Sequence, residues 1–307
     1  MSISNQRGAV LLLVLVVVAL LSALLTDWAF STLVDLRLTE TFRDSNRAYY
    51  LARGGVEVGR QLLLADKNPD YDAPTETWGM GIPAYPVSDE ATVSISIVDE
   101  DGRFNLNKVV LSDNPDVVMR PRFVRLLKSI DIADSEAEAL SEALVDWIDN
   151  NDRIYGGGAE NSWYQGLTPP LACKNDKLDS VDELLLVKGF TPEIVQRLTP
   201  FVTVAGVTKL NANTASRELL LAWHKDLTAS GIDQLLSSRQ GKPFKKLADV
   251  QAAIDGATYR DLTEQRDIDV ASQFYRITSV AQVNDGVRTV EALIEKAGNR
   301  QIWRRVY

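Results

Sequence analysis

Residues 149–161 concentrate oxygen-bearing side chains in a loop after a predicted helix. The loop reads DNNDRIYGGGAEN, and its candidate ligands are Asp149, Asn151, Asp152 and Glu160. Calcium takes six to eight oxygen ligands, and the three glycines allow the loop to fold back on itself. The spacing is not that of an EF-hand, and an Asx-rich turn that ends the helix has the same composition. These residues are therefore compatible with either a cation site or a capping turn.

Other site chemistry is limited by single residues. Cys173 is the only cysteine, so no intrachain disulfide can form, and His224 is the only histidine. Histidine metal clusters and catalysis that needs a second histidine are therefore excluded, and we expect His224 at the surface. Asp176, Asp179 and Asp182 either build a second oxygen site or begin a helix. No nucleophile–base set stands out, so the sequence favours a non-enzymatic protein over a membrane-anchored periplasmic enzyme.

The amino terminus contains an apolar segment of membrane-spanning length. Arg7 is the only charge before Asp27, and residues 9–25 contain one polar side chain. A helix of this run is about 26 Å long, just short of the bilayer core of ~30 Å, and the flanking residues complete the span. A secretory signal peptide has a shorter apolar region and a small-residue cleavage site. An uncleaved anchor and a leader cut after Gly8 both fit, and Arg7 satisfies the positive-inside rule.

The apolar segment runs without proline into residues 27–64, which predicts one helix from about 9 to 64, roughly 80 Å long. Gly54-Gly55 is the place where it could break. One face of its second half is small and apolar at spacings of three and four: Tyr49, Ala52, Val56, Gly59 and Leu63. Such a face allows another element to pack closely. We therefore expect the second half of the helix to support a globular head.

Strands are predicted near both ends of the remaining chain. Residues 92–98 alternate between polar and apolar, turn at 99–102 with Gly102 at positive φ, and return through 103–107. Near the carboxyl terminus, 274–283 and 287–294 form a hairpin through Asn284-Asp285-Gly286, with 301–307 as a further strand. Strands at both ends with helices between them indicate one sheet interrupted by an insertion.

The middle of the chain is predicted to be helical. Residues 120–129 and 135–148 are amphipathic, the second with a Ser135–Glu138 capping box, and 180–198 has a helix-hairpin-helix pattern. Thr191 caps the second helix of that pattern. The sequences RFNLN at 103–107 and KLNAN at 209–213 echo each other, which indicates two related helical units. The formal net charge of −9 and the missing second hairpin glycine disfavour nucleic acid as a partner.

Together, these motifs resemble the K-type minor pseudopilins of bacterial type II secretion systems. The resemblance rests on the leader with Gly8, GRFNLN at 102–107, LVDWID at 144–149, GAE at 158–160, the hairpin at 180–200 and LNANTA at 210–215. It implies an α+β fold in which a long pilin-like helix packs on an antiparallel sheet interrupted by a large helical domain. The implied domains are leader 1–8, membrane helix 9–26, head 27–108, insertion 109–270 and head strands 271–307.

The resemblance also implies roles for single residues. A prepilin peptidase would cleave after Gly8 and methylate Ala9. Pilins usually carry glutamate at mature position five, where this chain has Leu13; an apolar residue suits a tip subunit, which has no neighbour above it whose amine could pair with a carboxylate. Calcium is implied at Asp149, Asn151, Asp152 and Glu160.

The implied function is that of a non-enzymatic tip subunit that initiates and caps a pseudopilus and supports export of folded proteins. The chain would lie in the bacterial inner membrane as a single-pass protein with its globular part in the periplasm, and at the pseudopilus tip after assembly. Its partners would be other minor pseudopilins, the prepilin peptidase, the inner-membrane assembly platform and exoprotein substrates, but not nucleic acid. The alternative is a minor pilin of a type IV pilus or DNA-uptake apparatus.

Overall fold

A single helix, α1 (Ser4–Leu64), spans the first fifth of the chain. The computed structural model describes residues 4–66, 68–206 and 209–307, so residues 1–3 of the predicted leader lie outside the described residues. At 1.5 Å per residue, α1 is about 90 Å long. The helix runs through Gly54-Gly55 without a break. The predicted continuous helix over residues 9–64 is confirmed.

The other elements follow in chain order. The helices are α2 (Thr77–Met80), α3 (Met119–Ser129), α4 (Asp134–Ile148), α5 (Asn161–Tyr164), α6 (Pro192–Leu198), α7 (Arg217–Trp223), α8 (Ala229–Gly241), α9 (Leu247–Ala253) and α10 (Gly256–Thr263). The strands are β1 (Ile82–Ser88), β2 (Ala91–Asp99), β3 (Phe104–Asn105), β4 (Val110–Leu111), β5 (Asn114–Pro115), β6 (Val202–Thr203), β7 (Leu210–Asn211), β8 (Ile268–Asp269), β9 (Phe274–Val283), β10 (Gly286–Glu295) and β11 (Arg300–Val306). Short 3-10 helices lie at Leu106–Lys108, Val181–Leu186 and Thr199–Phe201.

The head is an antiparallel sheet of five strands, in the order β1-β2-β9-β10-β11, packed on the second half of α1. Ala52, Val56 and Leu63 of the helix are buried against it. Gly59 allows the close approach, because a Cβ at this position would lie 2.7 Å from Ile277 Cγ2. The predicted small-residue face is therefore the face that contacts the sheet, and the predicted α+β fold is confirmed.

The hairpin between β9 and β10 also touches α1. Asn284 adopts the left-handed region, with φ of +47°, and its side-chain amide donates to Asp44 Oδ2 at 2.8 Å. Gly286 lies so close to the helix that an added Cβ would be 2.8 Å from the Asp44 carbonyl carbon. The hairpin signal in the sequence is confirmed, and the structure adds a second reason for its glycine.

One predicted strand pairing is wrong. Residues 103–107 do not return alongside β2; β3 instead pairs in parallel with β6 and packs in the core of the inserted domain. The head sheet therefore stops at Asp99, earlier than the predicted boundary at residue 108, and resumes at Phe274. Gly102 does not have a positive φ. It is required instead because an added Cβ would lie 2.5 Å from Thr214 Oγ1.

The inserted domain consists of two units, each closed by a parallel pair of short strands and by an asparagine side chain that bonds to backbone groups. In the first, β3 pairs with β6, and Asn107 Nδ2 donates to the carbonyls of Leu178 and Val204 at 3.0 and 2.9 Å. In the second, β7 pairs in parallel with β8. Asn213 Nδ2 there donates to the carbonyls of Phe244 and Val270, at 2.9 and 3.3 Å. The echo seen in the sequence is thus a structural repeat.

Local capping was predicted with mixed success. Thr191 Oγ1 accepts from Ile194 N at 3.3 Å, as expected. The Ser135–Glu138 capping box is wrong, since α4 begins one residue earlier at Asp134 and Glu138 Oε2 instead accepts from Arg120 at 2.6 Å. The first helix of the predicted hairpin at 180–198 is a 3-10 helix that Ser180 does not cap through its side chain.

A buried polar network joins the head to the inserted domain. Asp99 Oδ2, at the end of β2, accepts from Asn211 Nδ2, Ser272 Oγ and Thr214 Oγ1 at 3.0, 2.7 and 2.5 Å. Asp99 Oδ1 accepts from Asp101 N at 2.8 Å. Because these donors come from segments on both sides of the boundary, the two parts are held in one orientation.

Candidate functional site

Three carboxylates are buried together at the end of α4. Asp146 and Asp149 lie on its last turn and just beyond it, and Glu160 comes from the loop that folds back over them. They are 0, 2 and 2% exposed, respectively. No basic side chain of the described residues forms an ion pair with any of them. A buried carboxylate without a partner is costly, so this arrangement calls for a compensating charge or proton.

Several oxygens at this site have no hydrogen-bond partner in the described part of the chain. They are Asp146 Oδ2, both Glu160 carboxylate oxygens and Asn175 Oδ1. Asn175 is tied to the loop, because its amide nitrogen donates to the Asn151 carbonyl at 3.3 Å. Such orphaned acceptors, all of them oxygens, are the donor set that a hard cation uses.

The electrostatics agree with this geometry. Burial, reinforced by Asp149 and Glu142, raises the pKa of Asp146 to about 6. Burial and the charges of Asp146, Asp149 and Asp152 raise the pKa of Glu160 to about 7. Each carboxylate disfavours ionisation of the other, which is the behaviour of a site whose negative charges a cation would compensate.

Glycines and a lysine fold the loop onto this cluster. Gly156 has φ of +58°, and a side chain there would collide with the Glu142 carboxylate. Gly158 lies against Asp146 in the same way. Asp146 Oδ1 accepts from Tyr155 N at 2.9 Å, and Lys188 Nζ donates to the carbonyls of residues 157 and 158 at 3.1 and 3.0 Å. The loop therefore encloses Asp149 and Glu160.

The predicted ligand set is only partly gathered by the fold. Asp149 and Glu160 belong to the buried cluster, whereas Asn151 is half-buried and Asp152 is exposed. The sequence analysis missed Asp146, although a carboxylate inside the apolar run LVDWI could have indicated a buried site. It also missed Asn175, for which the sequence gives no signal. The second suggested set does not converge on this cluster; Asp179, for example, pairs with Lys174 at 2.7 Å.

These residues carry the oxygen ligand types that calcium takes, but among the described residues the three carboxylates whose ligand atoms all lie within 4.8 Å of one another are Asp66, Asp72 and Glu76. Asp146, Asp149 and Glu160 would supply anionic oxygens to such an ion, and Asn175 would supply a neutral one. The thiol of Cys173 is also close, since its Sγ lies 3.6 Å from the Asp146 carbonyl, but burial raises its pKa to about 12. A protonated thiol is a poor metal ligand, so any ion at this place would be chosen by the oxygen atoms.

The other candidate site is the exposed half of α1. Among the described residues, α1 is the helix that is long and apolar enough to cross a membrane. Its leucine and valine side chains from Val10 to Leu25 are 46–69% exposed. Gly8 and Ala9 lie within the described part of the helix, and Leu13 is 64% exposed. This half of the helix therefore has no covering from its own chain.

Two family models match the chain, and both carry the description Type II secretion system (T2SS), protein K. One covers residues 102–207 and the other 210–270. The chain belongs to the type II secretion protein K family. The two matched ranges coincide with the two structural units that Asn107 and Asn213 close. The resemblance to K-type pseudopilins is therefore confirmed, and the interpretation as a type IV pilin or DNA-uptake protein loses its support.

Relatives match most of this family member, two of them over nearly its whole length. The type II secretion system protein K of Aeromonas hydrophila is 28% identical over 98% of this chain and 96% of its own length. A putative protein K of Escherichia coli K12 is 32% identical over 68% of this chain and 66% of its own. The protein K of Pectobacterium carotovorum is 26% identical over 99% and 97%.

A solved structure shares the fold. It is a chain from the crystal structure of the GspK-GspI-GspJ complex of the enterotoxigenic Escherichia coli Type 2 Secretion System. The TM-score is 0.75 at 20% identity, over 88% of this chain and 99% of that one. The fold is therefore shared, over the matched 88% of this chain, with a protein from such a complex.

Proposed function

We propose that this chain is a non-enzymatic tip subunit of the type II secretion pseudopilus, which initiates and caps its assembly together with other minor pseudopilins. One observation carries the proposal: α1 is bound to the sheet through its second half and uncovered through its first. An apolar rod of this kind has two environments that stabilise it, a bilayer and a bundle of similar helices. A subunit of a membrane-derived fibre needs both in turn.

The same helix supports a position in the inner membrane. The apolar run beyond Gly8 would hold the unassembled protein in the inner membrane, with the head and the inserted domain in the periplasm. The prepilin peptidase would cleave after Gly8 and methylate Ala9, and the assembly platform would then take up the mature helix. The structural neighbour comes from a complex with GspI and GspJ, which supports other minor pseudopilins as partners.

Leu13 and the inserted domain support the tip position. An apolar residue at this depth requires no amine from a subunit above it, whereas an unpaired carboxylate in the membrane costs several kcal/mol. The inserted domain is attached where α1 ends, at the end of the molecule opposite the membrane. A bulky domain there would obstruct another layer of subunits. Exported proteins are then the molecules that the tip faces.

Calcium belongs to this proposal as a structural ion. Asp146, Asp149, Glu160 and Asn175 would hold it, and Asn151 and Asp152 would contribute from the outer side of the loop. The ion would neutralise the buried carboxylates and fix the loop between α4 and α5. Its contribution would be to the rigidity of the inserted domain.

The test of the assembly proposal is a co-purification with mass spectrometry. The full chain is expressed with the candidate minor pseudopilins and the peptidase of its own system, extracted in mild detergent and isolated through a tag on this chain. We expect a stable complex in which this chain begins at methylated Ala9. A variant with Gly8→Ala should keep Met1 or its immediate neighbour as the first residue and be depleted from the complex.

Two results would contradict the proposal. The first is recovery of a fully functional chain that still carries its leader. The second is cross-linking that places this subunit at many positions along the fibre shaft, because a tip subunit occurs once. A matched substitution away from the cleavage site, Gly241→Ala, should alter neither processing nor recovery, since open space surrounds that glycine.

A further inference from the structure

A groove of about 810 Å³ crosses the boundary between the head and the inserted domain. One wall is the segment 68–71, which follows the end of α1, and the other is the connection from α8 to α9. Its floor includes Leu247 and Val270. This groove is separate from the calcium cluster, and neither the proposed assembly through α1 nor the proposed ion uses it.

The α8–α9 wall is basic in an otherwise acidic protein. Lys242, Lys245 and Lys246 are all exposed and line the groove. Many other basic side chains in the described ranges form ion pairs with carboxylates, for example Arg217 with Asp233 at 2.6 Å. The three lysines form no ion pair with any residue that the structure describes, and the ammonium of Lys245 lies 5.7 Å from the centre of the Tyr71 ring.

The carboxylates in the groove are already engaged, with one exception. Asp249 Oδ2 accepts from the backbone nitrogens of Lys245 and Lys246 at 2.9 and 3.2 Å, and Asp269 Oδ2 accepts from Lys209 Nζ at 2.9 Å. The exception is Asp70, which is exposed on the opposite wall. The three lysines are thus free to bind an anion. The groove has positive side chains on the α8–α9 wall and the carboxylate of Asp70 on the opposite wall.

Geometry selects the kind of anion. The groove lies beyond Leu64, about 57 Å along α1 from the end of the apolar run, whereas the Debye length at physiological ionic strength is about 8 Å. Lipid headgroups are therefore out of its reach. Duplex DNA would require a longer basic track and would face Asp70 and a chain of net charge −9. A short extended peptide satisfies the size, the charge and the apolar floor.

We propose that this groove binds an acidic segment of another protein, with carboxylates on Lys242, Lys245 and Lys246 and an apolar or aromatic side chain between Tyr71 and Val270. Its position at the end of the molecule far from the membrane makes it accessible both before and after assembly. The binding is independent of the role of α1 in the tip complex. It gives the inserted domain a recognition surface of its own.

The test measures binding of a fluorescein-labelled octapeptide that contains five Asp or Glu residues and one Phe. The full chain in neutral detergent is titrated at low and physiological salt, with the Asn/Gln version of the peptide for comparison. We expect the acidic peptide to bind at least about tenfold more tightly than its neutral counterpart, with affinity that falls as salt rises. The triple variant Lys242→Gln, Lys245→Gln, Lys246→Gln should lose that preference.

Two controls make the result decisive. The double variant Lys177→Gln, Lys225→Gln removes exposed charges elsewhere and should bind like the parent. The charge-reversed variant Lys242→Glu, Lys245→Glu, Lys246→Glu should bind an octapeptide with Lys in place of the acidic residues, which a merely unfolded variant would not do. The proposal is overturned if the triple glutamine variant keeps full affinity. It is equally overturned if a 20-nucleotide DNA binds more tightly than the acidic peptide and depends on the same lysines.

Discussion

Asp146 and Glu160 are buried carboxylates whose ion pairs and hydrogen bonds within the described chain are few. Their carboxylates are removed from water, and three of their four oxygens have no hydrogen-bond partner in the described chain. Placing a divalent ion among them would convert a repulsive cluster into a coordinated one. The cost of these buried charges and the affinity for the proposed ion would then have the same origin.

Glu160→Gln should separate these two effects. Without calcium, the variant should be more stable than the parent at pH 7.5, because it no longer buries a carboxylate among other acids. With calcium, the parent should gain several degrees in melting temperature and the variant much less, since a charged ligand is lost. Thermal melts in EGTA and in 1 mM calcium measure both.

The matched control is Glu136→Gln, an exposed residue at the start of α4. Its calcium-dependent shift should equal that of the parent. If calcium raises the melting temperature of Glu160→Gln as much as that of the parent, Glu160 is not a ligand. The unpartnered oxygens would then not indicate a calcium site.

Asp99 provides a pH dependence at the domain boundary. Burial raises the pKa of Asp99 to about 7, against the opposing effect of its hydrogen-bond donors. The folded state therefore retains a proton between about pH 4 and 7 that the unfolded state releases, so the free energy of unfolding decreases as pH rises through this window. From pH 5 to 8 the loss is about 2 to 3 kcal/mol.

Asp99→Asn removes the titrating group, so we expect the difference in unfolding free energy between the variant and the parent to change by that amount from pH 5 to 8. Denaturant titrations at both pH values give the difference directly, and Asp89→Asn, at an exposed turn, should show no such change. A difference that is independent of pH would mean that Asp99 stays ionised throughout.

Sequence could identify part of this residue-scale chemistry. Asp149 and Glu160 stood out because acids and glycines cluster in one loop. Asp146 did not, because its neighbours in sequence are apolar and its role depends on the direction of one helix turn. Asn175 comes from a segment without regular structure, so only the folded chain brings it to the acidic loop at Asn151. Long-range convergence of this kind leaves no local pattern.

At the scale of elements, the two Asn-closed units explain why the inserted domain keeps its shape with strands of only two residues. Asn213 makes three hydrogen bonds to backbone groups: two from its amide nitrogen, and one in which Oδ1 accepts from Phe244 N at 2.9 Å. Asn107 does the same in the first unit. One side chain thus replaces several rungs of a longer strand pair.

Asn213→Ala should lower the free energy of unfolding by roughly 3 kcal/mol, because it leaves buried backbone groups without partners. Chemical denaturation followed by tryptophan fluorescence measures the loss. Gln234→Ala removes an exposed amide side chain from α8 and should change stability by less than about 0.5 kcal/mol. A loss of similar size in both variants would show that the three hydrogen bonds of Asn213 contribute no more to stability than an exposed side chain does.

The contact between α1 and the sheet depends on glycine in the same specific way. Gly59→Leu should detach the second half of the helix from the sheet, since even a Cβ at this position would collide with Ile277. We expect a drop of several kcal/mol in stability and faster proteolysis of the head. Gly54→Leu, on the exposed side of the same helix, has open space and should behave like the parent. Limited proteolysis distinguishes the two.

Element-scale prediction succeeded where the signal was periodic. The helix face, the Asn284–Gly286 hairpin and the repeated N-x-N motif are local patterns, and the structure contains all three. The partner of residues 103–107 was wrong because strand pairing across an insertion depends on contacts distant in sequence. The capping box at Ser135 failed because Glu138 has a stronger partner in Arg120, which lies on another helix.

At the scale of the whole molecule, the uncovered first half of α1 must remain apolar. Leu13→Glu would place a carboxylate in the membrane segment, at a cost of about 2.5–3.5 kcal/mol. A tip subunit offers no amine above it, so the variant should be recovered in the complex several-fold less often than the parent. Leu13→Ile keeps the side chain apolar and should be recovered normally.

Quantitative mass spectrometry of the co-purified complex measures this recovery, with total membrane levels of each variant as the reference. If Leu13→Glu enters the complex as well as Leu13→Ile does, then another subunit supplies an amine at that depth. The assignment to the uppermost position would then be wrong.

The interruption of the sheet has a consequence for the order of folding. Strands β2 and β9 are neighbours in the head, yet the whole inserted domain lies between them in the chain. A polypeptide delivered amino terminus first therefore completes the inserted domain, with its own core, before β9 arrives. Until then, of the strands β2, β9 and β10, only β2 covers α1, and the part of its inner face that β9 and β10 later cover is exposed, so the interval before the final strands emerge is when a holding chaperone would matter most for this chain.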